Sequence, residues 1–150
     1  MNKKKVCIIG GGGFIGHNLA LYLKKLNFDL LVVDSLSVNN LYSLVEDNLP
    51  NPNLAKYLIN SRIELFNKND IGLIVQDARD YHALSKIIDN FKPDVLIHLA
   101  AVSHSTRSNK DPFSTFDHSL RTLENSLDNA KNRVEHFIYF SSSMVYGDFI

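Results

Sequence analysis

The sequence predicts an α/β fold built on a doubly wound parallel sheet. Three observations carry that prediction: five short apolar runs, helical periodicity between them, and a glycine cluster where the first run gives way to the first helix. The runs are Val6 to Ile9, Leu30 to Val33, Gly72 to Val75, Val95 to Leu99 and Phe137 to Phe140. Continuous apolar runs of this length suit parallel strands covered on both faces.

The first connection carries Ile15, Leu19, Tyr22, Leu23 and Leu26 at helical spacing. The stretch from Ser35 to Asp70 is split by Pro50 and Pro52, and Leu54, Tyr57, Leu58 and Ile63 suggest a helix within it. Tyr81, Leu84, Ile88 and Phe91 form the next helical stripe, ended by Lys92-Pro93. After Asp111-Pro112 a stripe of Phe113, Phe116, Leu120, Leu123, Leu127 and Ala130 predicts a helix packed on the sheet. No repeat, low-complexity tract or linker divides the chain, so residues 1–150 read as one domain.

Gly10 to Gly13, with Gly16 one turn later, lie between the first strand and its helix. A helix N-terminus presents unpaired N–H groups and partial positive charge, and glycine lets a phosphate approach the backbone closely. Two registers fit a dinucleotide pyrophosphate: Gly11-x-Gly13-x-x-Gly16, and Gly10-x-x-Gly13-x-x-Gly16. A flexible turn needing positive φ is the alternative. Asp34 ends the second strand run about 20 residues beyond the glycines, where an acid accepts from ribose hydroxyls. Its charge repels a 2′-phosphate, and no arginine follows it closely in sequence, so NAD is expected over NADP. The other reading of Asp34, a solvated strand end, leaves that spacing unexplained.

Composition narrows the class further. Hydrophobic residues make up 45% and charged residues 21%, and 16 Lys+Arg balance 16 Asp+Glu, so a general attraction to nucleic acid or membrane is not expected. No run is long enough to span a bilayer, and Met1-Asn2-Lys3 leads directly toward a strand rather than a signal peptide. A cytoplasmic location is the expectation. The single cysteine, Cys7, excludes an internal disulfide or cysteine zinc site and is expected to pack in the core; no metal site is expected. His98, alone in an apolar run, reads as a satisfied core histidine.

Several motifs then agree in order: Ile9 to Gly16 with Asp34-Ser35-Leu36, Gln76 to Asp80, His98-Leu99-Ala100-Ala101, Asp111-Pro112, and Ser141 to Asp148. Together they resemble the extended short-chain dehydrogenases, the NAD-dependent sugar-nucleotide epimerases and dehydratases, of which UDP-glucose 4-epimerase is one. The resemblance implies a Rossmann-type doubly wound sheet, here expected to be cut off after the fifth strand. It also implies NAD as cofactor, with Gly10, Gly13 and Gly16 as the phosphate glycines and Phe14 and Ile15 at the same helix start. Asp34 takes the ribose, Asp77 accepts from the adenine amine, and Ala78 supplies a backbone amide. The alternative for Asp77 is a helix cap, for which Asp80 is better placed. Leu99, Ala100 and Ala101 match the small turn against the nicotinamide ribose and pyrophosphate.

The same resemblance makes Ser142 the catalytic serine that holds the substrate hydroxyl, with Ser143 as the neighbouring alternative. The substrate implied is a nucleoside diphosphate sugar, and a homodimer formed through the helix after Pro112 is implied too. Two departures stand out. The family's Asn-x-x-Gly reads Ser119-Leu120-Arg121-Thr122, leaving Ser119 to replace an asparagine near the nicotinamide. The family's Tyr-x-x-x-Lys pair, which transfers the proton, is absent: none of Tyr22, Tyr42, Tyr57, Tyr81, Tyr139 and Tyr146 has a lysine four residues on. The chain is therefore expected to be the amino-terminal part of such an enzyme, an expectation the apolar Phe149-Ile150 ending favours. A free-standing nucleotide-binding module without catalysis is the alternative.

Overall fold

A computed structural model describes residues 3–37, 51–102 and 110–147. Pro50 and Asp148 to Ile150 lie outside them. Five parallel strands, β1 (Lys5–Ile9), β2 (Asp29–Asp34), β3 (Gly72–Val75), β4 (Val95–His98) and β5 (His136–Tyr139), form one sheet in the order β3-β2-β1-β4-β5. The expected fourth and fifth strands end one residue later than the observed ones. Leu99 nevertheless continues the ladder, its N–H donating to the Ile9 carbonyl at 2.8 Å.

Period-two alternation within the strands divides the core in two. Cys7, Ile9, Leu31, Val33 and Leu96 face Leu84 and Ile88 of α3 (Tyr81–Phe91). Val6, Ile8, Leu30, Val32 and Ile97 face Ala20 of α1 (Phe14–Lys25) and Phe66 of α2 (Pro52–Lys68). Burying both faces explains why the central strands read as unbroken apolar runs. Cys7 is a core residue, and burial pushes its thiol up to about 12, which makes it an inert packing group.

Local chemistry sets the helix ends. Asn51 caps α2, accepting from the Leu54 N–H, with Pro52 in the first turn. Asp80 caps α3 by accepting from Ala83 N–H at 3.0 Å, and Lys92, at φ 53, closes that helix before Pro93. In α2 the expected stripe falls on the wrong face: Leu54, Tyr57 and Leu58 are exposed, and Ile59 and Phe66 make the buried contact.

A larger correction concerns the helix after Asp111. It comprises α4 (Pro112–Phe116), a π-helical turn (Asp117–Arg121) and α5 (Thr122–Ala130). The apolar stripe expected to pack on the sheet largely faces outward, with Phe113 83% and Leu120 54% exposed. The buried face is mostly polar: Thr122, Asn125, Ser126 and Asn129, with Ala130. These side chains bond backbone carbonyls, Thr122 Oγ1 to His118, Ser126 Oγ to Thr122, Asn129 to Asn125, and Asn125 Nδ2 to Ala78 and Arg79. Small side chains with their polar atoms satisfied can be buried at little cost, which is why this face could turn inward.

Candidate dinucleotide-binding site

The strand order changes direction between β1 and β4, and a crevice opens there beyond the carboxyl ends of the strands. Gly10 leaves β1 at φ +76, and a Cβ on it would come within 2.6 Å of the Ala100 backbone nitrogen. Its glycine is needed for both the backbone angle and the close approach of the two loops. Gly16 is needed for packing, because a Cβ there would overlap the backbone of Gly11. At Gly11 itself a Cβ would press on Val32 and Ile8.

Gly13 differs from all three. A Cβ there would meet only the Gly10 carbonyl, at an ordinary 3.7 Å, yet Gly13 lines the crevice and is the N-cap of α1. Among the described residues nothing requires a glycine at this point. Among the described residues no side chain caps α1 and its first turn carries no acid, so its positive end opens on the crevice, with the Asp34 carboxylate held beside it on Gly12 N–H. The residues present therefore fit a phosphate group brought close to Gly13. Phe14, 71% exposed, and Ile15 form an apolar lip beside it.

Asp34 stands at the end of β2 on the same crevice. Its Oδ2 accepts from Gly12 N–H at 2.8 Å and its Oδ1 from Leu36 N–H at 2.7 Å, so it ties the glycine loop to the β2 turn. The second bond holds Leu36 at φ 57, a left-handed conformation that leucine otherwise avoids. Burial pushes the Asp34 carboxyl above its usual range, and the two backbone bonds oppose that rise. Each oxygen keeps acceptor capacity for a hydroxyl.

Asp77, after β3, repeats this local geometry, its Oδ1 accepting from Arg79 N–H at 2.9 Å. Burial raises its pKa, but the bonds and charge of Arg79 outweigh burial and hold the carboxyl below its ordinary value. Ala78 is buried beside it, and both line the crevice. On the opposite wall Leu99, Ala100 and Ala101 follow β4, and Ser142 follows β5.

His98 is 1% exposed, with Nε2 3.0 Å from the Ala100 carbonyl and Nδ1 3.0 Å from Ser126 Oγ. A carbonyl only accepts, so the hydrogen is assigned to Nε2, and Ser126 shares its one proton between Nδ1 and the Thr122 carbonyl. His98 is the satisfied core histidine its sequence context suggests, and it also fixes the Ala100 turn.

The crevice, about 920 Å³, is lined by every expected cofactor residue except Ser119. Ser119 Oγ instead accepts from Val102 N–H at 3.2 Å, and its neighbours His118 and Thr122 face the crevice. Arg62, His118 and Thr122 are crevice residues to which the sequence assigned no cofactor role. The π turn moves His118 and Thr122 into place, while Arg62 arrives from α2 with no sequence signal linking it to Asp34.

A glycine-walled helix N-terminus, facing a carboxylate after β2 at the switch point of a β3-β2-β1-β4-β5 sheet, defines a dinucleotide-binding Rossmann domain. The sequence profile of the NAD dependent epimerase/dehydratase family matches residues 6–150, and the chain belongs to that family. It is 31% identical over 96% of its length to a dTDP-D-glucose 4,6-dehydratase of Dictyostelium discoideum, covering 30% of that protein. It is 30% identical over 97% of its length to a UDP-glucose 4-epimerase of Mycoplasma genitalium, covering 38% of it. The chain thus spans well under half the length of these relatives. The fold matches UDP-glucose 4-epimerase from Brucella ovis in complex with NAD at TM-score 0.76 and 23% identity, over 97% of this chain and 38% of that one. The cofactor of this family is NAD.

Proposed function

We propose that this chain is the NAD-holding amino-terminal part of an enzyme that oxidises a hydroxyl of a nucleoside diphosphate sugar. The observation that carries the reading is Gly13: a glycine that no described residue requires, at a helix start without a side-chain cap and beside Asp34. Gly10 and Gly16 shape the loop, while Gly13, Phe14 and Ile15 present backbone N–H groups to the pyrophosphate. Asp34 accepts from the adenosine ribose. Asp77 accepts from the adenine amine, and Ala78 donates a backbone N–H to the ring. Leu99, Ala100 and Ala101 lie along the nicotinamide ribose, and Ser142 orients the sugar hydroxyl. NAD, when bound, supplies the hydride acceptor.

Ser119 enters this scheme differently from an asparagine at the nicotinamide, because its oxygen holds the Val102 backbone. The chain also lacks a Tyr-x-x-x-Lys pair, so these 150 residues are proposed to bind NAD without turning over a sugar nucleotide. The outward stripe of Phe113, Phe116, Leu120 and Leu127 suits self-association as a homodimer. Among the described residues no helix is long and apolar enough to cross a membrane; a cytoplasmic setting belongs to the proposal.

Calorimetric titration with NAD and NADP tests the reading. Saturable binding of NAD, with NADP at least about tenfold weaker, is expected from the Asp34 carboxylate. A folded sample that binds neither, or prefers NADP, overturns it.

A further inference from the structure

The proposed adenine acceptor, Asp77, is held by an arginine that is itself anchored on Asp117, far along the chain. Arg79 Nη2 lies 2.6 Å from Asp77 Oδ2, and Arg79 Nε lies 3.0 Å from Oδ2 and 3.2 Å from Oδ1. The remaining arm, Nη1, donates to Asp117 Oδ2 at 2.7 Å. Asp117 opens the π turn, and its other oxygen accepts from Arg121 Nε at 2.6 Å. The guanidinium is a rigid planar fork, so anchoring Nη1 fixes the plane in which its other edge meets Asp77.

We infer that Arg79 and Asp117 are positioning residues that orient the Asp77 carboxylate toward the purine 6-amino group of the cofactor, and so set base specificity. This rests on the adenine role given to Asp77 above. A carboxylate offers roughly four lone-pair sites. Three donors of Arg79 make four contacts with them: the backbone N–H and Nε–H reach Oδ1, and Nε–H and Nη2–H reach Oδ2. The plane of the carboxylate, and with it the direction from which a further donor meets its oxygens, is set by where the fork sits, and the fork is set by Asp117. The arrangement spans the chain from position 77 to position 117, joining the loop after β3 to the turn that brings His118 to the crevice. Both ion pairs are partly buried, which limits the orientations open to the fork.

The test uses NAD and its hypoxanthine analogue, in which a carbonyl replaces the 6-amino group and would face the Asp77 carboxylate. Affinities are measured by calorimetry for the full chain and for the Asp117→Asn and Arg79→Lys variants, each checked for folding by circular dichroism. The unmodified chain is expected to prefer NAD by roughly tenfold or more, the scale of a hydrogen bond to a charged group. Both variants are expected to lose at least about fivefold of that preference, with affinity for the analogue changed less than about twofold. Because the readout is a ratio, a partly unfolded sample does not imitate the result. If the unmodified chain binds the two nucleotides equally, the adenine role of Asp77 fails and the inference with it. If that chain discriminates and both variants keep the full preference, Asp77 stands and the positioning role of Arg79 and Asp117 is overturned. Equal weakening of both nucleotides overturns the positioning role as well.

Discussion

Glycines with the same spacing do different work, and single substitutions separate that work. Gly16→Ala forces a methyl into the Gly11 backbone and is expected to cost about 2 kcal/mol or more of stability, read as a lowered denaturation midpoint. Gly13→Ala meets no such obstacle and is expected to change stability by less than about 1 kcal/mol while NAD affinity falls tenfold or more. Native affinity in a folded Gly13→Ala protein would remove the phosphate contact from the scheme. Asp34 admits a similar separation. Arg62 lines the same crevice and makes no ion pair or hydrogen bond among the described residues, although nothing in the sequence joins it to Asp34. In Asp34→Asn the repulsion of a 2′-phosphate is removed while that cation stays. NADP is therefore expected to gain on NAD by about tenfold, and Arg62→Gln in the same protein to cancel the gain. A ratio unchanged by Asp34→Asn would mean that the carboxylate does not meet the ribose.

At the scale of elements, the carboxyl end of β4 carries a pH dependence of stability. Burial is the main cause that lowers the His98 pKa from 6.5 to about 4, with the Ala100 carbonyl opposing it. Between those values the unfolded chain takes up a proton that the folded chain refuses, so stability is fully present above pH 6.5 and falls as pH drops toward 4. The loss is at most on the order of 3 kcal/mol. Urea denaturation at pH 7 and pH 4.5 measures it, and His98→Gln, which can still donate to Ala100, is expected to flatten the difference. An unchanged difference would assign the acid sensitivity elsewhere. The same region shows where element-level reading of sequence succeeds and fails. The β1 and β2 runs were legible because burial on both faces leaves no polar interruption, the largely exposed edge strand β3 was legible from its apolar residues alone, and Asp80 and Asp111 were legible as helix starts because capping is local. The helix after Asp111 was not, because the hydrophobic stripe and the buried face differ. Thr122, Ser126 and Asn129 satisfy themselves on carbonyls of their own helix, a choice visible only once the neighbouring β4 is in place.

For the whole molecule, the site was more legible than the packing around it. Eleven of the twelve expected cofactor residues line one crevice because they sit at or just beyond the carboxyl ends of strands or in the first turn of α1, and in a parallel sheet those strand ends meet at one edge. Arg62 and His118 escaped because their place depends on helix orientation and on a π turn, neither of which has a sequence period. What the packing leaves outside then bears on assembly. Phe113, Phe116, Leu120 and Leu127 present large apolar side chains to solvent from one continuous helical segment, a surface that soluble monomers seldom keep uncovered. None of the four lines the crevice, so assembly and cofactor binding can be altered separately. Sedimentation of the chain at micromolar concentration is expected to give a dimer. Leu120→Glu combined with Leu127→Glu should give a monomer, because two carboxylates brought face to face with their symmetry copies lose apolar burial and gain repulsion. NAD affinity in that monomer should stay within about twofold of the dimer's. A chain that sediments as a monomer without substitution removes the stripe from self-association. A dimer that survives both glutamates moves the interface to another face.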